Sequence, residues 1–149
     1  MVLGSLMIFV FIASTVFAQD AEDFQVQPDK IVLNSIKGTA DTIKVSFPFH
    51  ASTVEGVYVD SISFDYAEVE DPAYLFIGFK YCLIDDILHI YFDKDKVIDF
   101  LNINVTDRGV VDVDLVVYID YYDNDVLDTL EFVGDGTVEV VDPSKKESK

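Results

Sequence analysis

Residues 110–121 alternate strictly between two kinds of side chain. Val111, Val113, Leu115, Val117 and Ile119 point one way, and Asp112, Asp114, Tyr118 and Asp120 point the other. A side-chain period of two belongs to a strand with one face buried and one face in water; a helix would scatter these residues around its circumference. The pattern returns in 128–141, where Leu130, Phe132, Val138 and Val140 share a parity, and in 40–49, where Ile43, Val45, Phe47 and Phe49 do. Asp135-Gly136 interrupts 128–141 and predicts a bend or bulge there. Pro48 has no N–H to donate and should end ladder pairing. Shorter candidates are 29–34 (Ile31, Leu33), 57–67 (Ile62, Phe64, Tyr66), 73–82 (Leu75, Ile77, Phe79, Tyr81) and 86–93 (Leu88, Ile90, Phe92). Asn34 to Gly38 separates the first of these from 40–49, and Glu70-Asp71-Pro72 divides 57–67 from 73–82. One stretch reads as helix. Asp93 can cap 94–101, with Val97, Ile98, Phe100 and Leu101 as a short apolar face.

About seven short strands with one crossover helix predict an all-β fold, an immunoglobulin-like β-sandwich. The disulfide and inter-sheet tryptophan of antibody domains are missing, since the chain has one cysteine, Cys82, and no tryptophan. The sandwich is expected over 28–142, after an acidic segment 19–27 and before a polar basic tail 143–149.

Residues 1–18 carry no charged side chain, and acid begins directly afterwards with Asp20, Glu22 and Asp23. Val16 and Ala18 provide small residues at −3 and −1, so 1–18 reads as a signal peptide cut after Ala18. The expected location is extracytoplasmic, either secreted or at the cell surface. Retention of the segment as an anchor is the other reading, its length being at the lower limit for a bilayer.

The net charge is −18, from 28 acidic and 10 basic residues. Such a chain repels nucleic acid and anionic headgroups, and is compatible with cations, basic partners, or simply a solvating surface. The expected partner is another protein or a second copy of the chain. No membrane contact is expected beyond the signal segment or a retained anchor. Asp outnumbers Glu by 21 to 7. Asp favours turns, caps and cation sites, whereas Glu favours helix surfaces.

Three stretches carry a resemblance. The first is Pro28-Asp29 with an apolar strand and a turn, Lys30-Ile31-Val32-Leu33-Asn34-Ser35-Ile36-Lys37-Gly38. The second is Leu88-His89-Ile90-Tyr91-Phe92-Asp93 followed by the short helix to Leu101. The third is a closing hairpin, Val113 to Val141, with Gly134-Asp135-Gly136-Thr137. Together they resemble an immunoglobulin-like module of extracytoplasmic archaeal and bacterial proteins, often repeated or joined to acidic calcium-loop or dockerin-type regions. The resemblance covers most of 28–142 and implies a structural or accessory role. The family often has an Asp- and Gly-rich run before its Phe-Asp strand. Here only Cys82-Leu83-Ile84-Asp85-Asp86 stands there.

Asp120, Asp123, Asn124, Asp125 and Asp128 form the densest oxygen cluster. A calcium ion takes six to eight oxygens, so Asp120, Asp123, Asp125 and Asp128 are the candidate metal ligands and calcium the candidate cofactor. The EF-hand spacing is absent. The competing reading is a hairpin turn whose Asp and Asn bond local backbone. Asp85, Asp86, Asp93 and Asp95 are a second, sparser group. No catalytic residue is assigned. His50 and His89 stand in different segments, and no nucleophile elbow, zinc spacing or phosphate loop occurs. Cys82 reads as an inert strand-end thiol. Asn104-Val105-Thr106 is a glycosylation sequon, with Asn104 the acceptor.

These features point to a non-enzymatic secreted or cell-surface module acting by protein contact. The alternative is a subunit of an extracellular polymer or surface layer assembled by strand addition, with calcium assisting. Asp23-Phe24-Gln25-Val26-Gln27 is the strand that would be donated. If it pairs within its own chain, it is an ordinary extra strand.

Overall fold

The computed structural model describes residues 17–18, 22–33 and 41–144. The leader up to residue 16, the Asn34–Gly38 separator, the side chain of Phe79 and tail residues 145–149 lie outside the described residues. In chain order the strands are β1 (Phe17–Ala18), β2 (Glu22–Asp23), β3 (Gln25–Gln27), β4 (Lys30–Val32), β5 (Thr42–Pro48), β6 (Thr53–Phe64) and β7 (Ala67–Glu68). A 3-10 turn (Pro72–Leu75) follows, then β8 (Phe76–Ile84), β9 (Ile87–Asp93), helix α1 (Lys94–Asn104), β10 (Gly109–Asp123) and β11 (Val126–Val141). They form two sheets. In sheet 1 the order is β7-β6-β10-β11, and the outer edge of β11 is covered in turn by β1, β2 and β4, all parallel to it; β1 is the last two residues of the 1–18 leader, so cleavage after Ala18 would remove it. In sheet 2 the order is β3-β5-β9-β8, antiparallel throughout. The fold is an all-β sandwich with one crossover helix.

The alternating residues bury as their parity requires. Val111, Val113, Leu115, Val117 and Ile119 of β10 face Ile43, Val45 and Phe47 of β5 and Leu88, Ile90 and Phe92 of β9 in one apolar core. Phe47 and Phe132 stack across it with ring centroids 3.8 Å apart. Asp93 caps α1 as its sequence position suggests: its Oδ1 accepts the amides of Asp95 (3.0 Å) and Lys96 (3.2 Å). The helix runs a turn beyond residue 101. Arg108 closes that end by donating from Nη1 to the carbonyls of Leu101 and Val105, a cation at the negative end of the helix.

Three two-residue turns join neighbouring strands. Asp65-Tyr66 links β6 to β7, Asp85-Asp86 links β8 to β9, and Asn124-Asp125 links β10 to β11. All six residues have positive φ, from 48° to 68°. That is the type I′ turn, whose twist matches paired strands. Asp and Asn enter this region most readily after glycine, so turn geometry accounts for part of the Asp excess.

Four expectations are corrected. Tyr66 is fully exposed rather than inward, because it occupies a turn corner beyond the end of β6. β8 starts at Phe76 rather than at 73, since Pro72 opens a 3-10 turn that buries Leu75. Beyond Phe76 the β8–β9 register shifts, with Gly78 at φ +51°, and Ile77 is left half-buried. No bulge occurs at Asp135-Gly136: β11 pairs with β10 without a shift from Val126 to Val140. The glycines there have another cause. A Cβ on Gly134 would lie 2.5 Å from Cε1 of Phe132 and 2.8 Å from Cδ1 of Phe24, and one on Gly136 would lie 2.6 Å from Cε2 of Phe24. They are the floor on which the Phe24 ring sits.

Phe24 belongs to a segment N-terminal of residue 28, so the sandwich begins earlier than its expected start. β2 pairs with β11 in sheet 1, β3 crosses to pair with β5 in sheet 2, and β4 returns to β11. Phe24 and Val26 are buried between the sheets. The segment seals the seam where β11 and β5 would both be open edges.

Candidate functional site

The outer face of sheet 1 is acidic because of register as well as composition. Asp23 of β2 lies beside Asp135 of β11, Asp135 opposite Asp114 of β10, Asp114 opposite Ser63 of β6, and Ser63 opposite Glu68 of β7. One row across five strands thus carries four carboxylates, of which Asp23, at the seam, lines a cleft with Lys44 and His89 of sheet 2. Like charges directly opposite one another destabilise a sheet. Ser63 relieves the row only weakly, its Oγ standing 3.4 Å from Asp114 Oδ2. Asp112, Asp120, Glu131 and Glu139 share the same outward parity. Strands β6, β7, β10 and β11 contain no Lys or Arg. Lys30 of β4 meets Glu139 at the rim, 3.1 Å away. Crowded acid is felt by Tyr118, whose phenol is held above its ordinary 10.0, first by Glu131, then by burial and by Asp60.

At the β6–β7 end this face becomes concave. A cleft of about 390 Å³ is lined by Asp65, Tyr66, Asp112, Asp114, Asp135 and Thr137. Turn and strand are tied there: the Asp65 amide donates to the Asp112 carbonyl (3.0 Å), and the Asp112 amide to Asp65 Oδ1 (3.3 Å). The Tyr66 ring stands free at the rim in a left-handed backbone conformation, where an aromatic residue is uncommon. Carboxylates beside an open aromatic face suit a cationic side chain, held by charge and by the ring quadrupole.

The candidate metal residues divide at the β10–β11 tip. Asp120 Oδ1 accepts from Thr129 Oγ1 (2.6 Å), and Asp128 Oδ1 accepts the Thr129 amide (2.8 Å). Asp123 Oδ1 accepts from the Asn124 amide group (3.0 Å), and Asp125 is a turn corner. Among the described residues, no group of three or more His, Cys, Asp or Glu is arranged to hold a metal ion. Asp85 and Asp86 form the β8–β9 turn, while Asp93 serves α1.

Outward residues of sheet 2 make local pairs. His89 Nδ1 lies 2.7 Å from Ser46 Oγ, its register partner. Burial, then the charge of Lys44, holds its imidazole below the usual 6.5. Cys82 Sγ lies 3.6 Å from Tyr91 Oη. His50 Nδ1 lies 3.1 Å from Asp86 Oδ1, both exposed. Asn104 is exposed at the end of α1, its side-chain amide donating back to the Phe100 carbonyl (3.2 Å).

Sequence reasoning placed Asp112 and Asp114 outward but missed the cleft. Parity names the face of each strand; it does not say which strands are neighbours or in what register. Compared with known proteins, the chain matches no family model, no curated protein and no solved structure. Among the described residues no helix is long and apolar enough to cross a membrane.

Proposed function

We propose that the chain is a non-enzymatic, extracytoplasmic contact module of immunoglobulin-like type, and that its cleft takes lysine or arginine side chains of a basic protein partner. The carrying observation is that Asp65, Asp112, Asp114 and Asp135 share one concavity with the exposed Tyr66 ring, with no Lys or Arg among its described lining residues. Strand order supports the fold type. Taken as strands A, B, E and D, β3, β5, β9 and β8 follow the order of one immunoglobulin sheet; β11, β10, β6 and β7 follow G, F, C and C′ of the other. The uncharged leader supports an extracytoplasmic site.

The test is titration with an oligoarginine peptide at several salt concentrations. Binding should weaken with salt. Tyr66→Gly should lose about 0.5–2 kcal/mol of it by removing the ring, and the Asp112→Asn, Asp114→Asn pair should lose more. Unchanged affinity in both variants would overturn the cleft as the contact site.

The second reading, a subunit of an extracellular polymer or surface layer, draws on the same segment: Phe24 and Val26 complete the core from outside the main hairpins, although here they do so within their own chain. Strand addition supplies its contact, and calcium would assist through Asp123, Asp125 and Asp128 at the hairpin tip. Sedimentation with calcium and with chelator tests it.

A further inference from the structure

We propose that the outer face of sheet 2 carries a small-molecule site between β3, β5 and β9, and that it takes a small hydroxylated monocarboxylate, the carboxylate being held by Lys44 and His89.

The site follows from register. Gln25 of β3, Ser46 of β5 and His89 of β9 stand side by side in one row, and Gln27 stands beside Lys44 in the next. Their parity is opposite to that of Val26, Val45 and Ile90, which are in the core. The two rows line a cleft of about 290 Å³, with Asp23 beyond Gln25 at its end. That is near the small end of ligand-pocket volumes. The short Ser46 side chain is the low point between its longer neighbours.

Polar groups here have bonding capacity to spare. The chain has 28 acidic residues, yet half-buried Lys44 has no ion-pair partner among the described residues, Asp23 of the same cleft included. Lys30, by contrast, is paired with Glu139. The side-chain amides of Gln25 and Gln27 have no hydrogen bond among the described residues either. His89 Nδ1 lies 2.7 Å from Ser46 Oγ. Burial and then the Lys44 charge hold the ring below 6.5, so it is neutral at pH 7. With the Ser46 hydroxyl donating to Nδ1, the ring proton sits on Nε2 and becomes a donor near the Lys44 charge.

A carboxylate answers that pair, accepting charge-assisted bonds from the Lys44 ammonium and from His89 Nε2–H. The glutamine amides both donate and accept, as hydroxyl groups require. Asp23 accepts hydroxyl protons and repels a second anionic group. The ligand therefore carries one carboxylate on a hydroxylated body. This site is separate from the acidic cleft, which lies on sheet 1.

The test titrates the full chain with gluconate and follows its amide and imidazole NMR signals. Sorbitol has the same carbon chain without the carboxylate, and hexanoate keeps the carboxylate without the hydroxyls. Gluconate should shift the Ser46 and His89 signals and saturate at millimolar concentration. Sorbitol should leave them unmoved, and hexanoate should bind about tenfold more weakly. Lys44→Gln should weaken gluconate binding by about tenfold or more, whereas Lys94→Gln, on α1, removes the same charge and should not. Gln25→Ala keeps every charge and should also weaken binding, which covers a Lys44→Gln variant that fails to fold. Cleft signals unmoved by tens of millimolar gluconate overturn the proposal. So does equal binding of sorbitol or hexanoate, or gluconate affinity unchanged in Lys44→Gln and Gln25→Ala.

Discussion

Phe24 and the two glycines beneath it show how one side chain fixes three positions. Replacing Gly136 by alanine puts a methyl where the ring already lies, and such overpacking costs about 1–3 kcal/mol. Phe24→Ala removes the ring and should cost about 3–5 kcal/mol. Urea denaturation measures both, and the double variant should cost less than their sum because the methyl then enters vacated space. Two titrations also belong to single residues. His89 is held below 6.5 by burial and Lys44, so the unfolded chain takes up its proton first. Stability on this account is complete above that value and falls as pH drops through the lowered native one. His89→Gln should flatten the loss just below pH 6.5 in urea midpoints. Tyr118 is raised above 10.0 chiefly by Glu131, so Glu131→Gln should move its phenolate absorbance transition back toward the ordinary value.

Among elements, the hairpins set the geometry of the acidic face. The Asp65-Tyr66 turn holds Tyr66 at φ 68°, which costs a side-chain-bearing residue about 1–2 kcal/mol relative to an unstrained one. Tyr66→Gly should therefore raise the urea midpoint while weakening oligoarginine binding. Opposite changes in stability and binding are the signature of a residue kept for contact. α1 depends on its cap, and Asp93→Ala should cost about 1 kcal/mol by leaving two first-turn amides without their acceptor. The register shifts on β6, between Val116/Val117 and between Asp120/Tyr121, bend a strand that β7 covers only at Ser63 and Phe64. Bulges on a partly open edge discourage uncontrolled pairing.

On the scale of the whole molecule, charge is unevenly placed. Acid fills the outer face of sheet 1, while Lys44, Lys80, Lys94 and Lys96 lie on sheet 2 and the crossover helix. Repulsion within the Asp23–Asp135–Asp114 row should make Asp114→Asn stabilising by about 0.2–1 kcal/mol, and added salt should shrink that gain. Thermal melts across a salt series test both statements. Calcium is tested the same way. Binding by Asp120, Asp123, Asp125 and Asp128 would raise Tm at millimolar calcium over chelator. A raised Tm would support calcium at the hairpin tip and an unchanged one would remove it; Asp120 and Asp128 each already give one oxygen to Thr129.

Alternation along 40–49, 86–93, 110–121 and 128–141 was enough to place those strands and their buried faces, because burial on one side of a sheet imposes a period that the chain itself records. Asp93 likewise announced its cap, since capping is a contact within four residues. Other features depend on partners distant in the chain. The glycines of β11 read locally as a bulge; only packing shows them to be the seat of Phe24, more than a hundred residues away. Tyr66 shares the strand's parity, yet the turn that ends pairing sends it into solvent. The acidic row joins carboxylates from four segments, and register between strands is set by hairpin geometry and core packing rather than by any one of those segments. The tertiary structure alone therefore decided the cleft and the seat of Phe24.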